Sequence, residues 1–202
     1  MKKLVAVFVI LLVIFAIYWF NFRADKIGTG KKMEALKAKK HSNSFNNNVD
    51  TMMNAYFELK SAFVEADSIH AKIYSKKLLQ IVDSLSLSEL KKDTAGIFES
   101  ADMQMGDIKA NIESLIKQTS LTEMRQDFRM VSESIYPLLK TIHYEGKTLY
   151  WQNCPMAFGE GKEANWISNT EEIVNPFLGK HDPEFKSAML HCGEVKDSIN
   201  SK

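Results

Sequence analysis

A mainly α fold is predicted: an up-down four-helix bundle carrying a loop-rich C-terminal extension and preceded by one membrane-spanning helix. Three observations predict it. Apolar residues recur at steps of three and four in four successive stretches between Val49 and Tyr144, the signature of helices that share one buried face. After Gly146 that periodicity gives way to glycine, proline and aromatic residues. At the other end, every residue from Leu4 to Phe20 is apolar.

At about 1.5 Å per residue, a helix over that N-terminal run just crosses a hydrocarbon core. Lys2 and Lys3 precede it, and Tyr18, Trp19, Phe20 and Phe22 stand at its far end like an interfacial aromatic belt. A secretory signal also begins with lysines and an apolar core, but no small-x-small cleavage pattern follows here, so residues 1–23 read as a retained anchor. The charges on the two flanks, Lys2 and Lys3 against Arg23, Lys26, Lys31 and Lys32, compete in setting orientation. A long domain follows the anchor, and the expected placement is a bacterial inner-membrane protein with its bulk in the periplasm. Residues 24–48 combine Gly28, Gly30, many lysines and the run Asn46 to Asn48 with few core-forming side chains, which describes a linker. Lys37, Lys39 and Lys40 belong to that stalk, close to lipid headgroups.

The bundle is expected over residues 49–145. Val49, Met52, Tyr56, Leu59 and Phe63 form its first stripe, which ends at Asp67, a cap for the next helix. Ala71, Tyr74, Leu78, Ile81, Val82 and Leu85 form the second. Ser86 with Glu89 has capping-box spacing and is read as opening the third helix, whose stripe includes Ile97, Ala101, Met105, Ile108, Ile112 and Leu115. Ser120 and Glu123 repeat the device before Leu121, Met124, Phe128, Val131, Ile135, Leu138 and Ile142, with Pro137 inside the helix as a point of kinking or local loosening. Most methionines of this region lie on or beside the stripes, where methionine is a gap-filler, and Met103 with Met105 is the one pair spaced like an auxiliary site. In residues 146–202, Thr148 to Gln152 reads as a short strand, 153–165 as loop, and Asn175 to Gly179 as a turn. This extension must pack on the bundle, because it has too few apolar residues for a core of its own.

Composition excludes several functions. The chain is 25% charged and 45% hydrophobic with a formal net charge of +1, so it carries no electrostatic footprint for nucleic acid. It has no Gly-rich phosphate loop, no nucleophile elbow and no Cys-x-x-Cys-His haem motif. His41, His70 and His143 are scattered, and the Glu-x-x-His pairs of di-iron bundles are absent. Catalysis is not expected.

Chemistry concentrates in the extension. Both cysteines of the chain stand close to a methionine, in Cys154-Pro155-Met156 and in Met189-Leu190-His191-Cys192-Gly193. Thiolate and thioether are soft donors, and together they favour copper(I) or silver(I) over zinc. His181 and His191 are candidate further ligands, although their spacing is not that of a cupredoxin. The same two cysteines have another reading. Outside the cytoplasm, two cysteines in one domain also make a disulfide, and a Cys154 to Cys192 bridge would stabilise by roughly 3 to 4 kcal/mol.

Tyr150 to Ala157, Trp166-Ile167-Ser168, Ile173, Asn175-Pro176-Phe177 with Gly179, Met189-Leu190 and Cys192 to Val195 together resemble the signature of an uncharacterised bacterial periplasmic family. The resemblance extends upstream to Tyr56 to Lys60 and Gln126 to Arg129. In that family the block follows a helical domain, and it occurs fused to or beside adaptor subunits of copper and silver efflux pumps. The resemblance implies that Cys154, Met156, Met189 and Cys192 bind metal, and that the protein sequesters it or hands it to an efflux or resistance system. His191 occupies a variable position of the second element, and residues 180–186 are longer than the family pattern. The other reading is a disulfide-stapled structural or protein-interaction domain that presents Trp151 or Phe158 to a partner.

Overall fold

A computed structural model describes Phe15 and residues 40–93 and 96–200. The span expected over 1–23 lies, apart from Phe15, outside the described residues. Among the described residues no helix is long and apolar enough to cross a membrane. The compact unit from Ala38 to Lys202 is mainly helical, with four helices and a small three-stranded sheet.

Helix α1 (Asn43–Val64) starts inside the stretch read as linker. Ser42 accounts for this, because its side chain accepts the Phe45 amide and caps the helix, while Phe45 itself is buried. Asp67 caps α2 (Ser68–Ser84) by accepting the His70 amide, as its spacing predicts. The box at Ser86 does not form. Ser86 turns to Ser88, Glu89 accepts instead from the backbone and hydroxyl of Ser42, and residues Ser88–Lys92 make a 3-10 turn. Helix α3 begins only at Gly96, whose left-handed backbone sets the start of Ile97–Lys117. The second box is real: Ser120 and Glu123 satisfy each other at the start of α4 (Leu121–Thr141). Helix α4 runs on through Pro137, which removes one ladder bond without ending the helix.

The predicted stripes form one core. Val49, Met52, Tyr56, Leu59 and Phe63 of α1 meet Leu78 and Val82 of α2, Ile108 and Ile112 of α3, and Phe128, Val131 and Ile135 of α4 in a single buried cluster. Met52, Met53, Met105 and Met124 are buried there, in keeping with methionine as a gap-filler. Met103 is 69% exposed while Met105 is buried, so this pair forms no shared site.

The extension is more ordered than its composition suggests. Strands β1 (Leu149–Cys154), β2 (Ala164–Ser168) and β3 (Glu194–Ile199) form an antiparallel sheet in the order β2-β1-β3. Trp151 of β1 stacks on Tyr136 of α4 with ring centroids 4.3 Å apart. Trp166, Ile167 and Phe177 belong to the helical core. A buried relay ties sheet to helices. The Ile167 amide donates to the Tyr56 hydroxyl (3.0 Å), which bonds Ser132 Oγ (2.7 Å), and Ser132 Oγ donates to the Phe128 carbonyl. Lys60 adds a second tie to Ser168 Oγ at 3.2 Å, and burial lowers its ammonium pKa to about 8.

Tyr56→Phe keeps the ring but strands the Ile167 amide in a dry interior, so we expect a loss of about 1 to 3 kcal/mol in urea unfolding. A loss below about 0.5 kcal/mol would show that the relay does not hold the sheet to the helices.

Candidate functional site

Cys154 ends the central strand of the sheet and is fully buried. Cys192 lies at the close of a turn, two residues before β3, and is partly buried. Thirty-eight residues separate them in sequence. In the structure both are free thiols with their sulfurs 2.9 Å apart.

Several contacts hold Cys192 there. Its amide donates to the Met189 carbonyl (3.0 Å), which closes the turn, and its carbonyl accepts from Asn175 Nδ2 (2.9 Å). Asn175 is read from sequence only as part of a turn, and the structure gives it a second task. Its Oδ1 accepts the Phe177 and Leu178 amides while its Nδ2 holds the Cys192 carbonyl, so one side chain joins the Pro176 turn to the Cys192 loop, and its backbone N–H adds a bond to the Leu190 carbonyl. The run Asn-Pro-Phe is the only local signal for this, since Asn commonly caps the turn that follows it. Gly193, at φ +146°, brings the chain against the Asn153 carbonyl and the Trp166 ring before β3 pairs with β1, with Asn153 opposite Glu194. The turn around Asn175 docks at the C-terminal end of α1, where the Lys180 amide donates to the Val64 carbonyl (2.8 Å). That is roughly 30 Å along the helix from its cap at Ser42.

The pair is electrostatically a thiol pair. Burial first, then the bond and charge of Cys154, push the Cys192 thiol up to about 12. With no cation present, one S–H donates to the other sulfur.

The other predicted ligands divide. Met156 and Met189 both pack partly buried against the core, Met156 in the turn that follows Cys154 and Met189 in the turn that ends at Cys192. Met156 also lines a cleft of about 480 Å³ with Phe158, Phe177, Phe185, Arg125 and Asp182. Arg125 is buried at the side of that cleft, donating to the Pro176 and Phe63 carbonyls, and it braces the same turn that holds Asn175. His191 is exposed and donates from Nδ1 to the Ile173 carbonyl (2.7 Å), so its ring serves the loop. His181 is exposed beside Glu65, at 3.7 Å. Among the described residues no three of His, Cys, Asp and Glu gather to hold a metal ion, and neither histidine joins the cysteines in such a group. The donor set that the fold assembles is therefore two thiols, with thioethers on the adjoining loops.

This donor chemistry fits a soft monovalent cation. At ordinary metal–sulfur lengths of about 2.3 Å, the two sulfurs, 2.9 Å apart, must part by roughly 1 Å in a bent site completed by thioethers and by about 1.7 Å if they alone hold the cation in line. Cys192, on its turn and partly exposed, is the side chain with room to move.

Residues 52–147 match a family described as Protein of unknown function (DUF3347). The matched stretch begins inside α1 at Met52 and ends at Lys147, before β1, so it covers most of the helical part and leaves out both cysteines. Its description assigns no activity, and nothing in the match connects the chain to copper or silver efflux. No match was found among curated proteins or among solved structures.

Proposed function

We propose that this protein is an extracytoplasmic binder of soft monovalent metal, copper(I) or silver(I), held by Cys154 and Cys192 and sequestered or passed on to an efflux or resistance system. The contact between the two sulfurs carries the reading. A thiol at the end of the central strand meets one on a distant turn, and Met156 and Met189 stand two and three residues from them in sequence. We propose a non-enzymatic role.

An anaerobic titration of copper(I) into the reduced full chain, against a chromophoric chelator, tests this. Stoichiometric binding is expected, with Cys154→Ser weakening it by more than about tenfold, a change of at least 1.4 kcal/mol. Because both thiols must lose their protons, uptake releases protons and tightens as pH rises. Unchanged affinity in Cys154→Ser, or no binding by reduced protein, would end the metal reading.

The same contact favours a second reading, in which the pair is a disulfide that staples β1 to the Cys192 loop and the exposed surface meets a protein partner. A thiol count on freshly isolated native protein separates the two. Two reactive thiols after unfolding without reductant argue against the staple, and none argues for it.

A further inference from the structure

We infer that oxidation gates the site: a disulfide between Cys154 and Cys192 excludes the cation, so closing the bridge releases the metal and opening it restores binding. This inference rests on the soft-metal reading above and adds how the same site is regulated.

The geometry carries it. At 2.9 Å the sulfurs stand between two outcomes. A disulfide of about 2.05 Å asks them to approach by about 0.9 Å, and a cation at about 2.3 Å from each asks them to part by roughly 1 Å where thioethers bend the S–M–S angle and by about 1.7 Å where the two sulfurs alone hold it in line. Cys154 is fixed by its pairing with Ala164 at the end of the β1–β2 ladder, while Cys192 is fixed by Met189, by Asn175 and by Gly193 wedged against Asn153. The choice between the two states therefore lies in two short side chains. Once bridged, neither sulfur is a thiolate, and only the neutral thioethers of Met156 and Met189 remain as soft donors.

The natural oxidant class is another disulfide, R–S–S–R. Starting from the loaded pair, two thiolates holding M⁺ react with R–S–S–R and two protons to give the Cys154–Cys192 disulfide, free M⁺ and two R–SH. Two electrons pass from the cysteine sulfurs to the oxidant, one S–S bond breaks and one forms. Burial sets the order of events. Cys154 is fully buried and Cys192 only partly, so the mixed disulfide forms first at Cys192, and the Cys154 sulfur then displaces the second R–SH.

The test uses the reduced full chain loaded with silver(I), treated with excess oxidised glutathione and desalted. Bound silver and reactive thiols are expected to disappear together, and both should return after reduction and reloading. Cys154→Ser is expected to accumulate a glutathione adduct at Cys192 by mass spectrometry, whereas Cys192→Ser leaves Cys154 unmodified. Silver retained after the thiols are lost would overturn the inference. Two thiols that stay reactive after oxidant treatment of the metal-free chain would also overturn it, as would an adduct at Cys154 in Cys192→Ser. Reduced protein that binds no silver at all would remove the metal reading itself, and the gate with it, leaving bridge formation as a staple.

Discussion

Phe128→Ala is expected to cost about 3 to 5 kcal/mol in equilibrium unfolding, the largest single-residue effect in this domain. The ring is fully buried at the joint of three parts of the chain. It stacks on Tyr56 at 5.3 Å and tilts against Phe63 at 4.8 Å, both from α1, and it meets Phe177 of the Asn175 turn at 6.0 Å. These are separations at which aromatic pairs add to the energy of burial. Truncation opens a cavity where α1, α4 and the extension meet, and the walls of that cavity are themselves rings held by other contacts. Phe128→Leu, which refills most of the space, should lose much less. A cost below about 1 kcal/mol for the alanine variant would show that the three parts are not jointly packed.

Gly193→Ala should damage stability and, on the proposed soft-metal reading, copper(I) binding together. At φ +146° the position suits only glycine, and an added Cβ would stand 2.6 Å from the Asn153 carbonyl oxygen and 3.0 Å from the Trp166 ring. Neither neighbour is a flexible chain end: one is backbone of the central strand, and the other is an indole buried in the core. The loop must move, and Cys192 moves with it. We expect a loss of about 1 to 3 kcal/mol with a fall in copper(I) affinity of more than about tenfold, measured by urea unfolding and by the competition titration. Stability lost with affinity intact would mean that Cys192 reaches its cation from more than one backbone position.

The accuracy of the sequence reading follows how local each determinant is. A capping box acts over four residues, and Ser120 with Glu123 behaves as its pattern predicts. Ser86 with Glu89 has the same spacing and fails, because the Glu89 carboxylate finds a stronger partner in Ser42, 47 residues away, and the Ser42 bond leads the contacts that draw its pKa down to about 2. Helical stripes are equally local, so the cores of α1, α3 and α4 are legible residue by residue. Strand β3 left no such trace. Val195, Lys196 and Asp197 are exposed at the edge of the sheet, so no alternation of apolar and polar residues marks them. Trp166, Ile167 and Ser168 of β2 are all buried, and a strand buried on both faces shows no period of two.

The sequence by itself determined the helices, the caps at Asp67 and Ser120 and which sulfur-bearing residues the extension carries, because periodicity, capping and residue chemistry are properties of near neighbours and of atoms. Only the tertiary structure decided that Cys154 and Cys192 touch, that Asn175 holds the loop between them in place, and that His181 and His191 stand apart from a shared site. Each of these depends on chain segments 17 or more residues apart meeting across the sheet and the turn. No local pattern encodes such a meeting; the packing of Trp166 and Phe177 into the helical core brings it about.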